Sequence, residues 1–268
     1  MPTKINHLAI ISDQYSLEGK FYQSVFGTRV SPDSPPDGSV CFSDGYVGFN
    51  INPRKSGRAA GFDHFGFDVD DLEGTIARIG THDPELLVLK RPGNRQYAGY
   101  SAHDPDGNIF DLSQTDVENR RDVYAEGEWE QHRTVDHFAL RTLHPERVAA
   151  FYADVLGLSP TNRQAADRNH YLTDGRITMV IMPWAITDFA DTGIARPGLD
   201  HIGFKVESID AVRDEIEDIS GRNPHLAPRS FGIGKESKAR LELAKACCSI
   251  GAYHLADPDG VLIDLREA

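Results

Sequence analysis

Cysteine is scarce in this chain: three in 268 residues, two of them the neighbours Cys247 and Cys248. With Cys41 they make no disulfide framework, so a reducing, cytoplasmic setting is expected. Basic charge is short as well. Lys and Arg number 28 against 41 Asp and Glu, a formal net charge of −13. Nucleic-acid phosphates favour a basic face, so no nucleic-acid partner is expected. Long apolar runs are missing too. Nothing approaches the roughly 20 residues of a membrane helix, and residues 1–11 lack the basic start and apolar middle of a signal peptide. No membrane partner is expected. What is present, 40% hydrophobic and 26% charged residues, is the composition of a folded globular chain.

The chain repeats itself. Asp104-Pro105-Asp106-Gly107 followed by Asn-Ile-Phe-Asp111-Leu returns as Asp257-Pro258-Asp259-Gly260 followed by Val-Leu-Ile-Asp264-Leu. Ile5-Asn6-His7-Leu8-Ala9 matches Val135-Asp136-His137-Phe138-Ala139, and Phe21-Tyr22 with Gly27 matches Phe151-Tyr152 with Gly157, both at an offset of 130. Phe62-Asp63-His64 matches Leu199-Asp200-His201 at 137, and the Asp-Pro-Asp-Gly phrases lie 153 apart. Two homologous halves follow, separated by insertions of 7 and then 16 residues. The polar stretch 115–133 reads as a linker between an N-terminal domain, 1–114, and a C-terminal domain, 134–268.

Each half repeats within itself. A strand carrying Asn-His or Asp-His precedes a helix, and two or three strands follow. Apolar residues at helical spacing predict helices over 16–26, from Asp70 as cap to a stop at Gly80, from Pro145 to Gly157, and from Ser208 as cap to Gly221. Strands are predicted near 39–41, 46–51, 97–103, 170–173 and 177–184. The order is βαβββ, four times, an α+β fold. Residues 224–249 contain the 16-residue excess of the last unit, and 235–248 read as an added helix, a surface ornament or a lid.

The turn phrase is explained by type I turn chemistry, but the carboxylate in each following strand is not. Asp is disfavoured in strands, and a buried carboxylate needs a partner. Histidines stand at matching places: His7 and His64 with Asp111, His137 and His201 with Asp264. Two imidazoles and a carboxylate on one face leave positions open for substrate or water, as in non-haem iron sites, and also suit Mn, Zn or Ni.

These features together, with Phe-Tyr-x-x-Val-Leu-Gly in the third helix, resemble the vicinal oxygen chelate superfamily: glyoxalase I, methylmalonyl-CoA epimerase, fosfomycin and bleomycin resistance proteins, and extradiol ring-cleaving dioxygenases. The resemblance covers nearly all the chain except the linker and the late insertion. It implies that each pair of modules forms an open eight-stranded barrel with a metal inside. Four modules in one chain are closest to the type I extradiol dioxygenases, whose C-terminal pair holds Fe(II), here at His137, His201 and Asp264. His7, His64 and Asp111 make a second candidate site. In some members the first module pairs with the fourth, which would put His7 with His201 and Asp264.

Two departures from the family stand out. Its carboxylate is normally Glu, and its dioxygenases carry Tyr three residues before the Asp-Pro turn. That place is His254 here, beside Tyr253, and Ser101 in the first half. His254 is thus the candidate acid–base group, with Tyr253, Tyr171 and Trp184 as candidate pocket walls, and the asymmetry points to the C-terminal half. The resemblance implies a metal-dependent oxygenase, in first reading Fe(II) extradiol cleavage of a catechol-like aromatic with O2. The alternatives are a non-redox lyase, isomerase or epimerase, or a small-molecule-binding resistance-type protein. A homo-oligomer is expected.

Overall fold

The computed structural model describes residues 3–31, 39–92, 98–115, 129–161, 167–192, 194–229, 233–247 and 250–268. The first half runs β1 (Lys4–Ser12), α1 (Tyr15–Phe26), β2 (Arg29–Val30), β3 (Val40–Ser43), β4 (Gly48–Pro53), β5 (Gly61–Val69), α2 (Leu72–His82), β6 (Leu89–Lys90), β7 (Tyr100–His103) and β8 (Ile109–Gln114). The second runs β9 (Thr134–Thr142), α3 (Pro145–Leu156), β10 (Ser159–Pro160), β11 (His170–Thr173), β12 (Thr178–Pro183), α4 (Ile186–Thr192), β13 (Gly198–Val206), α5 (Ile209–Arg222), α6 (Lys235–Cys247), β14 (Tyr253–Ala256) and β15 (Leu262–Glu267). No described helix is long and apolar enough to cross a membrane.

The first sheet is ordered β2-β3-β4-β1-β5-β8-β7-β6, the second β10-β11-β12-β9-β13-β15-β14. Neither closes on itself. Modules pair in chain order, through β1 against β5 and β9 against β13, so the exchanged pairing of first and fourth modules is not adopted. The second sheet has seven strands among the described residues rather than eight. In chain order, the segment between α5 and β14 that corresponds to β6 carries a 3-10 turn (Pro224–Leu226) and α6 among its described residues.

Local chemistry sets most helix ends. Gly27 and Gly157 follow α1 and α3 at φ 69° and 73°, left-handed backbone that glycine takes without strain. Ser208 caps α5 through the Ala211 amide. The cap of α2 is Asp71 rather than Asp70, accepting from the Gly74 amide at 2.9 Å. Gly80 and Gly221 lie inside their helices instead of ending them. A glycine in right-handed backbone costs a helix only about 1 kcal/mol and stops nothing by itself. Helix α4 carries too short a pattern to be read from the sequence. The linker's interior, 116–128, and Tyr97 and Cys248 lie outside the described residues.

The halves exchange contacts reciprocally. Helix α1 sends Phe26 across to stack on Phe204 of β13, ring centroids 3.8 Å apart, while α3 sets Tyr152 against Phe65, Phe67 and Phe110 of the first sheet. Tyr22 Oη donates to Asp257 Oδ2 at 3.0 Å, and Tyr152 Oη donates to Asp104 Oδ2 at 3.1 Å. The backbone repeats the exchange: Val135 N donates to Asp44 and Ile5 N to Asp174, at 2.7 and 2.8 Å. The repeated Phe-Tyr pair is therefore an inter-half clamp.

One member of this seam has no counterpart. Glu18 is fully buried beside Asp257, where the second half has Val148. Burial, then the neighbouring Asp257 charge, pushes its carboxyl up from 4.5 to about 10. A raised acid holds its proton in the folded state after the unfolded chain has lost it. Its stabilising contribution is thus complete below about pH 4.5 and lost as pH rises towards 10. Glu18→Gln is expected to flatten the decline of stability between pH 6 and 9, which for one proton reaches at most about 1.4 kcal/mol per pH unit. Urea midpoints across that range check it, and parallel profiles would contradict it.

Candidate metal centre

Four β-bulges aim the histidines. Pairing of β1 with β5 skips Asn6 on one strand and Asp63 on the other. Pairing of β9 with β13 skips Asp136 and Asp200. Each skipped residue immediately precedes a histidine. A regular strand would send the two side chains to opposite faces, whereas a bulge lets both serve the same one. Each histidine Nδ1 accordingly meets its predecessor: His7 with Asn6 Oδ1 at 2.6 Å, His64 with Asp63 at 2.7 Å, His137 with Asp136 at 3.0 Å and His201 with Asp200 at 2.7 Å.

These bonds fix the tautomer. The Asn6 amide nitrogen donates to Asp68 Oδ1 at 2.8 Å, so its oxygen faces His7 and can only accept. Nδ1 of His7 therefore carries the proton, and the carboxylates impose the same on the other three. In each neutral imidazole the Nε2 lone pair is left to face inward, the arrangement of a metal-ligating histidine and its supporting acceptor.

Room for the rings comes from glycine. His7 lies opposite Gly66 and His137 opposite Gly203. A Cβ on Gly66 would sit 2.1 Å from His7 Cε1, and one on Gly203 1.9 Å from His137 Cε1. The His-x-Gly spacing in β5 and β13 thus supplies one ligand and the space for another.

The third strand brings the carboxylate. Ligand atoms of His7, His64 and Asp111 lie within 4.8 Å of one another, as do those of His137, His201 and Asp264. The paired rings are nearly perpendicular in both halves, 82° and 84°. His7 Nε2 is 3.8 Å and His64 Nε2 3.4 Å from Asp111 Oδ2, while His137 Nε2 is 3.1 Å from Asp264 Oδ2. Burial alone would lower the His64 pKa, but hydrogen bonds and charge from Asp111 and Asp63 outweigh it and hold it up at about 9. Burial likewise opposes ionisation of Asp111, yet His64 holds that carboxyl down at about 2. Asp264 is also held below the ordinary range, burial being outweighed by His137 and His254. Both clusters favour positive charge between their members, and their donor sets fit a divalent cation.

The halves differ in what covers the centre. In the second, Ala139, Tyr171, Val180 and Met182 form an apolar patch on the concave face that His137 shares, and Ile250 packs against it. Gly251, just after the late insertion, lies so close that a Cβ there would meet Asp264 Oδ1 at 1.6 Å. The insertion's return to the sheet thus caps this centre, and His137, His201 and Asp264 are all buried. In the first half the matching concave positions are Cys41, Asn50 and Asn52. There a cavity of about 330 Å³ opens onto His64 and Asp111, lined also by Asn52, Ser101 and His103.

His254 lies opposite Asp264, its Nδ1 3.0 Å from Oδ1, so it props the candidate ligand. Tyr253 points to the other face, under the Arg213 guanidinium of α5. Tyr171 belongs to the apolar patch, and Trp184 Nε1 donates to the Ile194 carbonyl at 3.0 Å.

Comparison with known proteins matches the glyoxalase/bleomycin resistance protein/dioxygenase superfamily twice, over residues 4–112 and 134–265. The chain belongs to that superfamily. The uncharacterised protein YaeR of Escherichia coli is 24% identical over 121 residues, 41% of this chain and 94% of YaeR. Among solved structures, the Mn(II)-bound glyoxalase of Novosphingobium aromaticivorans is similar at TM-score 0.63 and 14% identity, covering 98% of this chain and 81% of its own. Homoprotocatechuate 2,3-dioxygenase of Arthrobacter globiformis is similar at TM-score 0.62 and 16% identity, covering 99% and 79%. At such identities the likeness is one of fold.

Within this superfamily member, the sequence marks the six candidate ligands but not the residues that support them. The Asx before each histidine and the glycine two residues after His64 and His201 are visible in the repeats. Their roles depend on strand register, which a repeat alone does not give.

Proposed function

We propose that this chain is a metal-dependent enzyme whose working centre is in the N-terminal half, with His7, His64 and Asp111 holding a divalent ion. The observation that carries this is their convergence beneath an open cavity. His137, His201 and Asp264 form a second, capped metal site, in which His254 orients Asp264 rather than reaching substrate. Favouring the first half departs from the C-terminal reading that the extradiol resemblance gives; access is the reason.

The reaction we assign is extradiol cleavage of a catechol-like substrate with O2 and Fe(II); Mn, Zn or Ni would serve a non-redox reaction. A bound ion supplies Lewis acidity to two vicinal substrate oxygens and, as iron, redox chemistry towards O2. Asn6 and Asp63 keep the imidazoles in register. His103 lines the cavity with its Nδ1 donating to the Asp104 carbonyl at 2.9 Å, which leaves Nε2 to take up or return a substrate proton. The same group favours a second reading, a lyase or isomerase, because a single base beside a chelated carbonyl suffices for proton transfer.

Oxygen uptake with a panel of catechols, before and after Fe(II) loading, tests the assignment. Uptake that requires iron and is lost in His64→Ala is expected. Absence of uptake with iron bound would overturn ring cleavage, and anaerobic turnover with Mn or Zn would establish the second reading.

A further inference from the structure

The cavity over the first centre is cationic and apolar at once, in a chain that is acidic overall. Strand β6 and its flanks place Leu87, Leu89 and Arg91 on the cavity at alternate positions, hence on one face. Leu89 lies opposite Ser101, which lies opposite Asp111 and donates its hydroxyl to it, so this stripe shares a face with the candidate metal ligand two strands away. Leu87 and Leu89 are large apolar side chains 63% and 61% exposed.

Two other cations line the cavity. Arg58 is committed to Asp63, at 2.7 and 2.8 Å to the two carboxylate oxygens, and Lys55 is exposed to solvent. Arg91 differs from both. Among the described residues it has no ion pair, and its buried Nε has no hydrogen-bond partner. A buried donor left unmade is costly, so an acceptor that reaches it is favoured. A guanidinium fork matches a carboxylate in particular.

Resting on the metal reading above, we infer that the N-terminal cavity selects a carboxylate-bearing substrate. Its vicinal oxygens meet the centre, its apolar body lies on Leu87 and Leu89, and its carboxylate pairs with Arg91. The second half has no such stripe among its described residues, whose sheet ends at β14.

Protocatechuate and catechol present the same diol and differ only in a carboxylate, which makes them a matched pair of probes. Mn2+ loading is measured first. Calorimetric titration of the Mn2+-loaded full chain then avoids oxidative turnover. Protocatechuate is expected to bind at least about tenfold more tightly than catechol, the scale of one charge-assisted contact. Arg91→Met should bring the two within about twofold while leaving catechol affinity unchanged, and Arg91→Lys should keep part of the preference. Equal affinities in the unaltered chain, a preference that survives Arg91→Met, or Mn2+ binding with no affinity for either probe would overturn the inference alone. Failure of Mn2+ to bind would overturn the metal reading, and the inference with it.

Discussion

His64→Ala is expected to lower turnover by about a thousandfold or more, because two remaining donors fix neither an ion nor a chelating substrate. His201→Ala should leave turnover within about threefold of the unaltered protein, while lowering stability, since a buried Asp200–Arg141 pair loses one of its partners. The contrast follows from access. The first centre has a polar concave face and an open cavity, whereas Ile250 and Gly251 close the second. Steady-state rates with metal content measured on the same samples decide it. Loss of turnover in His201→Ala with retention in His64→Ala would return the working site to the C-terminal half.

Asp104→Ala should lower stability by about 3–5 kcal/mol, the largest loss expected from any exchange away from the metal centres. The Asp104 carboxylate accepts from the Asp106 and Asn108 amides, each at 2.9 Å, from the Asn108 side chain at 2.7 Å and from Tyr152 at 3.1 Å. Alanine strands several of these donors at once and cuts one clamp between the halves. Tyr152→Phe removes only the last of them and should cost about 1 kcal/mol. Urea unfolding measures both. A loss below about 1 kcal/mol for Asp104→Ala would show that the turn and the seam hold without it.

Asp104 also shows what a sequence reveals and what it hides. Its place in Asp-Pro-Asp-Gly announces a turn, because Asp, Pro and Gly each answer a local backbone requirement. Its acceptance of a hydroxyl from a helix of the other half is a tertiary fact with no local mark. The helices follow the same division. Gly27 and Gly157 end theirs because the backbone turns left-handed there, while Gly80 and Gly221 look alike in sequence and sit in ordinary helix. The six candidate ligands are readable because the chain states them twice. The bulges that turn Asn6, Asp63, Asp136 and Asp200 onto the histidines depend on which residue faces which across two strands. The seven-stranded second sheet depends on where the late insertion goes, which its length does not say. The polar and apolar concave faces are legible only in retrospect, since Asn50 and Val180 become comparable once β4 and β12 are known to flank the centres.

The central claim is that His7, His64 and Asp111 form a metal centre open to substrate. Anomalous diffraction from crystals grown with Mn2+ tests it most directly. The account predicts an anomalous peak bonded to Nε2 of His7, Nε2 of His64 and a carboxylate oxygen of Asp111, with its open side towards Leu89 and Arg91. Ordered density for the three side chains with no peak between them, in crystals that hold Mn2+ at His137, His201 and Asp264, would contradict it.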